Sequence, residues 1–407
     1  MSTTDHLTEF RAGWRALAAA SLGLGSGMAL HPFVINLLAP HLVAAMGWTK
    51  AQFAMATVVS GLSILSYPVV GYLADRFGVS RIGGLGVMAA SSSYVAIAML
   101  DGPIRHYIAI LIVQLTLGAM TTGPVFLRIV VRSFDRGRGM ALAIAVSTPA
   151  VVAALASTPF ARLIETRGWR FAAVAAAIYA ASAGIAAILL VPSGHGPFPK
   201  PRGLSAGPVS GIRGLFADRR YRILLAVTVL VSMPLVVTNS QLALVLVDNG
   251  MTMGHAGSVL ALFAFGTIAG RLAAGVAVDR FPAETVGAIA FSLPAIGMLL
   301  LAAPFDQTAI LAVAILLIGL AFGAEGDVLA YIVSRIFGSE TYGAALGMLF
   351  AAVGVSAMIG AFILSQTLER WGNYTGFLFF GSASVVGGSA LLLAMRRSMA
   401  IGAGEAA

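Results

Sequence analysis

A polar turn joins two long apolar runs early in the chain, and it reads Gly71-Tyr-Leu-Ala-Asp75-Arg76-Phe-Gly78-Val-Ser-Arg81. An aspartate at a helix end can cap the helix and pair with neighbouring arginines where a bundle meets water. The stretch therefore predicts a helical hairpin whose turn lies at a polar boundary.

The same pattern returns 204 positions later as Gly275-x-x-x-Asp279-Arg280. Further matches keep nearly the same spacing, with Arg132-Ser-Phe134 meeting Arg335-Ile-Phe337 at an offset of 203. The remaining matched pairs, all at an offset of 204, are Gly139 with Gly343, Leu142 with Leu346, Glu165 with Glu369 and Gly168 with Gly372. Such a register predicts two copies of one structural unit.

The composition is that of a chain surrounded by lipid. Of the 407 residues, 59% are hydrophobic and only 10% are charged, whereas a soluble domain carries about 25% charged residues. The net charge of +9 does not predict a nucleic-acid partner, because the basic residues are spread over the ends of apolar runs. The absence of cysteine excludes disulfides and thiolate chemistry.

Twelve runs are long and apolar enough to cross a bilayer, which takes about 20 residues. They lie near 14–45, 50–75, 82–100, 106–133, 138–163, 171–192, 222–247, 255–279, 285–304, 308–335, 341–368 and 373–395. Only helices satisfy their backbone individually in lipid. We expect an all-α membrane protein of twelve transmembrane helices in two pseudo-symmetric six-helix bundles. The bundles are predicted at 1–192 and at 222–407, the latter with a short cytoplasmic tail, and a proline- and glycine-rich basic linker at 193–221 joins them.

Arginine and lysine fall mostly on one side of the predicted spans when the N-terminus is placed in the cytoplasm. The positive-inside rule then puts both termini and the linker in the cytoplasm, as in a multi-pass protein of the cell inner membrane. The polar segment 1–11 has no cleavage signal, so we expect the first apolar run to remain as a helix. Two repeats of this kind predict a binding site near the midplane between the halves.

The loop at 71–81 resembles the signature G-x-x-x-D-[RK]-x-G-x-[RK]-[RK] of the major facilitator superfamily, with Ser80 as its one departure. The resemblance covers the whole chain. It implies a cytoplasmic charge cluster that latches the two halves in one conformational state. The residues implied in this latch are Gly71, Asp75, Arg76, Arg81, Arg132, Asp279, Arg280 and Arg335.

Within that superfamily the chain looks most like the monocarboxylate porter and oxalate–formate exchanger group. The likeness lies in Gly270-Arg271 of helix eight, in the end of helix four at 132–142, and in the stretch 323–338. Thr267 stands where monocarboxylate porters usually carry an aspartate, and no lysine lies between Phe337 and Glu369. The first departure weakens a direct copy of that group's proton site, and the second argues against a small dianion as cargo.

Arg271 is the candidate anchor for substrate. It lies eight residues before Asp279, or roughly 12 Å along a helix, which places it near the midplane. A charge at that depth costs at least a few kcal/mol, and a guanidinium can hold a carboxylate through two parallel hydrogen bonds. A structural ion pair with an acid on helix ten is the alternative role, and the two roles can alternate.

Glu325 and Asp327 are the candidate proton carriers. They lie two residues apart, so they point about 200° apart and at most one faces Arg271. Binding of an anion to Arg271 would release that acid to take up a proton. A packing contact that uses Gly323 and Gly326 is the alternative.

Further polar side chains inside predicted spans are candidates for lining a substrate cavity, or for satisfying backbone groups freed by nearby prolines. They are His31, Asn36, Tyr67, Asn239, Gln241 and Tyr331. Arg128, one turn inside Arg132, is interpreted as a snorkelling residue at the cytoplasmic end.

The sequence predicts a monomeric secondary transporter of a small organic anion, monocarboxylate-like, that works by proton-coupled symport with alternating access. It predicts no enzymatic activity, no cofactor and no metal, since Walker, zinc-binding and hydrolase motifs are absent. The alternatives are a proton-driven exporter of drugs or other apolar molecules, and a membrane sensor. A sensor needs a cytoplasmic output domain, for which the predicted linker and tail are too short.

Overall fold

The computed structural model describes residues 3–135, 137–192, 215–305 and 307–404. Throughout these ranges the ordered elements are helices, with no strand. Arg136 and most of the predicted linker, 193–214, lie outside the described residues. The predicted all-α fold class is confirmed.

By its internal contacts the chain divides into two units, which we call unit 1 (Met1–Thr49 and Val59–Lys200) and unit 2 (Lys50–Val58 and Pro201–Ala407). Unit 2 thus contains a short segment from the first half of the sequence. The predicted bundle boundaries remain a prediction.

The described part of the first half of the sequence forms nine α-helices. They are α1 (Thr3–Ser26), α2 (His31–Met46), α3 (Lys50–Ala56), α4 (Ser63–Phe77), α5 (Val79–Ala98), α6 (Ile104–Thr116), α7 (Gly123–Ser133), α8 (Arg138–Arg167) and α9 (Trp169–Leu190). Short 3₁₀ stretches at Met28–Leu30, Thr57–Leu62 and Gly118–Thr121 link α1 to α2, α3 to α4 and α6 to α7. Three predicted spans are therefore broken helices.

Further α-helices follow in the described part of the second half. They are α10 (Arg219–Ser232), α11 (Leu242–Asp248), α12 (Met253–Arg280), α13 (Ala283–Ala302), α14 (Thr308–Trp371) and α15 (Thr375–Gly404). A π-helical turn at Val237–Gln241 precedes α11.

The two runs predicted at 308–335 and 341–368 both lie on α14. Helical structure continues through the whole of α14, which has 64 residues. The stretch 336–344 contains glycines but no proline, so no residue there lacks the N–H that carries a helix onward. Two parts of α14, Thr308–Phe337 and Ala345–Trp371, are each long and apolar enough to span a membrane.

In the described ranges, nine helices meet the length and hydropathy of a membrane span, and eleven do if each of two bent helix pairs counts as one span. Helix α5, at the predicted span 82–100, is not among them. Arg81 and the consecutive serines 91–93 lower its mean hydropathy. The number twelve stays a prediction.

Two glycines that match in the sequence repeat have a shared conformational reason. Gly168 follows α8 with φ +85°, and Gly372 follows α14 with φ +69°. Such angles strain any residue with a Cβ atom. The repeat therefore keeps glycine where each helix ends and the chain reverses.

Each unit has its own apolar core. Unit 1 packs around Phe126, Ile129 and Phe134, and unit 2 packs around Tyr221, Phe291 and Val333. Large apolar side chains also cover the outside, as at Leu155, which is 75% exposed. Apolar side chains on this scale fit a lipid surrounding.

Candidate functional site

Glycines in both helices let the backbone of α12 pack directly against the backbone of α14 in unit 2. A Cβ atom added to Gly270 would lie 1.9 Å from the carbonyl oxygen of Leu320, and one added to Gly323 would lie 1.9 Å from that of Thr267. Gly326 has no atom within 4 Å of such a position. Of the two glycines predicted to allow close approach, only Gly323 serves that purpose.

Arg271 follows the tightly packed Gly270, and it meets a carboxylate on the facing helix. Its Nε lies 2.9 Å from Oδ2 of Asp327. The side chain of Arg271 is 21% exposed and that of Asp327 is 47% exposed. The Nε–H is not aligned on any acceptor within the described part of the chain, so the contact is an ion pair with room for a better-aligned partner.

Glu325 makes a different contact from the same helix. The hydroxyl of Ser232, at the end of α10, donates a 2.6 Å hydrogen bond to its Oε1. Glu325 and Thr238 are the polar members of a cavity whose other walls are apolar, among them Phe291 of α13 and Phe322 of α14. The structure thus brings Asp327, and not Glu325, to Arg271.

The other predicted cavity residues lie in several places. His31 is buried beside Tyr94, and the side-chain amide of Asn36 donates to the carbonyl of Pro32 in its own helix at 2.7 Å. Tyr67 packs at the edge of the unit 1 core. Asn239 is half-buried in the π-helical turn. None of these four has a described contact with Arg271.

The charge cluster beside the turn at 71–81 in unit 1 includes a residue that the sequence argument did not place in it. Arg128 on α7 forms an ion pair with Asp75 on α4, and its Nη2 would lie 3.4 Å from a Cβ atom added to Gly71. Arg128 therefore makes a specific ion pair, and its interpretation as a snorkelling side chain stays a prediction. The sequence feature that could have placed Arg128 in this cluster is its position one turn before Arg132, on the side of the helix that faces α4.

The other predicted latch residues of unit 1 differ in their exposure. Arg81 is exposed, and Arg132 is half-buried. The guanidinium of Arg76 lies 5.3 Å from the ring centre of Phe77.

The second copy of the cluster differs from the first. At the repeat offset of 203, Tyr331 takes the place of Arg128. Tyr331 lines an open cavity of about 590 Å³ between the end of α12 and the middle of α14, together with Asp279, Arg280 and Arg335. The Arg335 guanidinium lies 6.0 Å from the Tyr331 ring centre. In this arrangement Tyr331 lies beside the predicted latch residues of unit 2.

A further polar network occupies the opposite end of unit 2. Lys50 forms an ion pair with Asp248, and its ammonium lies 5.9 Å from the ring centre of Tyr374. The Tyr374 hydroxyl donates a 2.8 Å hydrogen bond to Oε1 of Gln241. Burial, and next the charge of Asp248, raise the pKa of Tyr374. These contacts hold α3 in unit 2, and no sequence signal predicted them.

Long apolar helices and an apolar exterior together define a polytopic membrane protein. The chain matches the Major Facilitator Superfamily over residues 15–246 and 224–403, and it belongs to that family. It is a transporter and not an enzyme, as predicted.

Solved structures with the same fold include a mutant of the nucleoside transporter NupG. Its TM-score is 0.80 at 14% identity, and the alignment covers 94% of this chain and 99% of that one. A mutant of the peptide transporter POT gives a TM-score of 0.75 at 13% identity, with 95% and 94% covered. At such low identities the likeness shows the fold alone.

A relative by sequence comes from Thermoproteus tenax and is described as an uncharacterized 38 kDa protein in the 23S RNA operon. It is 26% identical over 371 residues, which are 90% of this chain and 92% of the relative.

Proposed function

We propose that this transporter moves a small organic anion of the monocarboxylate type together with a proton. The supporting observation is the Arg271–Asp327 ion pair, which is held inside unit 2 by the glycine contacts of α12 and α14. An arginine that is mostly buried and already faces one carboxylate is chemically suited to accept a carboxylate from a cargo molecule.

The proposed cycle is an exchange of partners. The cargo carboxylate takes the place of Asp327 at Arg271 and can form two parallel hydrogen bonds, which the present side-on ion pair does not. Asp327 then has no counter-charge beside it, and loss of a neighbouring positive charge favours the protonated form of a carboxyl group. Release of the cargo restores the ion pair and returns the proton.

Glu325 is the second candidate proton carrier. Its carboxyl group borders an apolar cavity and accepts a hydrogen bond from Ser232. Protonation would remove its charge without breaking an ion pair. Asp327 is thus proposed to couple proton and cargo directly, and Glu325 is proposed to exchange protons through the cavity.

The remaining predictions enter the proposal unchanged. His31, Asn36, Tyr67, Asn239 and Tyr331 stay candidates for contacting cargo. The protein is proposed to act as a monomer in the cell inner membrane, with both termini in the cytoplasm, and its partners are the organic anion, the proton and lipid.

The test is uptake of a panel of labelled monocarboxylates into proteoliposomes, with and without a pH gradient. We expect uptake of at least one acid that rises when the outside is acidified. Arg271→Ala should abolish this uptake, whereas Arg162→Ala, which removes an exposed arginine from α8, should leave it intact.

The acids are tested in the same liposomes. Asp327→Asn and Glu325→Gln are compared with Glu369→Gln, which neutralises an exposed acid at the end of α14. Loss of the pH dependence in either of the first two, but not in the third, identifies the proton carrier. Normal acid uptake by Arg271→Ala would remove the basis of the proposal.

A second cargo class is favoured by one observation, the apolar lining of the cavity beside Glu325. Aromatic and aliphatic walls around one acid suit a lipophilic molecule better than a small anion. The alternative is therefore a proton-driven exporter of drugs or other apolar molecules. Competition by neutral drugs, combined with no effect of organic acids, would favour export.

A further inference from the structure

An apolar crevice lies between α8 and α9 in unit 1, and we call it the α8–α9 crevice. Its lining residues fall within 30–37, 152–163 and 175–179. Its volume of about 280 Å³ is close to the lower end of the roughly 300–1,000 Å³ of small-molecule sites. Helix α2 forms the floor through buried side chains such as Val34 and Leu37.

The chemistry of the lining is that of hydrocarbon. Its polar members are Ser157 and Tyr179, and both hydroxyls already donate to backbone carbonyls. Ser157 donates to the carbonyl of Ala153 at 2.6 Å, and Tyr179 donates to that of Gly25 at 3.3 Å. The crevice therefore offers a neutral, apolar surface to an occupant.

Small side chains on both walls leave this space. Ala153 and Ala156 line it from α8, and Ala175 and Ala176 line it from α9. Because an alanine side chain ends at Cβ, these rows leave a channel that larger side chains would fill. If the channel stayed empty, its walls would lose dispersion contacts, so an apolar occupant of matching shape is favoured.

The rim of the crevice is apolar and exposed. Leu155 on α8 is 75% exposed and Ile178 on α9 is 64% exposed. Each is next in sequence to a lining residue, Ala156 and Tyr179 respectively, and Ala156 is itself exposed. Both helices have the length and hydropathy of a membrane span. The crevice is therefore continuous with a surface suited to contact lipid.

The length of the crevice matches one leaflet of a bilayer. Along α8 it extends from Val152 to Leu163, a distance of about 16 Å at 1.5 Å per residue. The hydrocarbon core of a bilayer is about 30 Å thick, so one leaflet contributes about 15 Å. Val152 lies at the middle of α8, whereas Leu163 is followed within one turn by exposed polar residues at 165–167.

We propose that the α8–α9 crevice binds one acyl chain of a membrane phospholipid, whose headgroup lies at the level of the C-terminal end of α8. The chain fills the space between the two walls and joins α8 to α9. This site belongs to unit 1 alone and does not depend on the cargo proposed above or on the Arg271–Asp327 pair.

The test uses a phospholipid that carries a photoactivatable diazirine in the middle of one acyl chain. The full chain is reconstituted with this lipid and irradiated, and the attachment sites are mapped by mass spectrometry. The reference is the exposed apolar surface of α15 at Phe379 and Val386. Ala156→Phe narrows the crevice, and Ala390→Phe is the matched control, because it adds the same ring to an exposed alanine of α15.

In the wild type we expect labelling of the crevice to exceed that of the reference surface by roughly threefold or more, which corresponds to a binding preference of about 0.65 kcal/mol. Ala156→Phe should lower the crevice labelling to the reference level, and Ala390→Phe should leave it unchanged. The comparison within the wild type remains decisive if Ala156→Phe does not fold.

Equal labelling of the crevice and the reference surface in the wild type would overturn the proposal, because lipid would then contact the crevice no more than any other apolar face. Labelling below the reference level would overturn it as well, since protein and not lipid would then cover the crevice. Unchanged crevice labelling in a folded Ala156→Phe variant would also contradict binding at this site.

Discussion

Replacing Arg271 by methionine would leave the Asp327 carboxylate without its counter-charge. At the observed separation of 2.9 Å, Coulomb's law with an effective dielectric constant of about 20 gives an attraction of about 6 kcal/mol. Because the Asp327 side chain is 47% exposed, solvent screening reduces this value. We expect Arg271→Met to destabilise the protein by about 2 kcal/mol, below the roughly 3–5 kcal/mol seen for fully buried pairs.

The double variant Arg271→Met/Asp327→Leu removes both charges and should return to within about 1 kcal/mol of the wild type, because apolar residues can replace an ion pair at little cost. The coupling energy of the cycle is then expected at about 2 kcal/mol. Unfolding in a denaturing detergent, followed by tryptophan fluorescence, measures all four proteins.

Transport separates the functional role from the structural one. The double variant regains stability but should show no acid uptake in proteoliposomes, since no guanidinium remains to bind the carboxylate. The reasoning is refuted if this variant transports acids as the wild type does. A coupling energy below about 0.5 kcal/mol would equally show that the ion pair is not the interaction we describe.

Gly323→Val should lower the free energy of unfolding by roughly 3 kcal/mol or prevent folding, because its Cβ would clash with the backbone of α12. Gly326→Val, whose Cβ meets open space, should melt within a few degrees of the wild type. Equal melting temperatures of the two variants would contradict the packing argument. Lys50→Glu and Asp248→Lys should each lower stability by about 1 kcal/mol, as expected for a partly exposed ion pair. The double variant, which exchanges the two charges, should recover at least half of the loss in a double-mutant cycle. Simple addition of the two losses would argue against the ion pair. Arg128→Ala should break the ion pair with the α4 carboxylate and shift the resting distribution of conformations. Because the chain has no cysteine, single cysteines can be introduced and their accessibility to a thiol label measured. An unchanged labelling pattern would show that Arg128 does not stabilise the resting state.

The sequence by itself determined that the chain is helical and membrane-spanning, and that it belongs to its superfamily. Whether a helix can lie in lipid depends on its own local composition, so hydropathy alone predicts the membrane-spanning helices. The turn at 71–81 and its repeat at 275–280 depend on short-range chemistry in the same way. Gly168 and Gly372 matched in the sequence because a local backbone angle requires glycine at both.

Only the tertiary structure decided which charges meet. Helix geometry predicted that just one of Glu325 and Asp327 could face Arg271, but the choice depends on how α12 and α14 are rotated about their axes. That rotation is set by Gly270 and Gly323, whose backbones touch the facing helix.

The same reason explains the contacts that the sequence did not predict. Asp75 and Arg128 lie 53 positions apart, and Lys50 and Asp248 lie 198 apart. No local sequence pattern predicts contacts between residues that lie so far apart along the chain. Pairing across packed helices follows from their register and rotation, which the whole set of interhelical contacts fixes together.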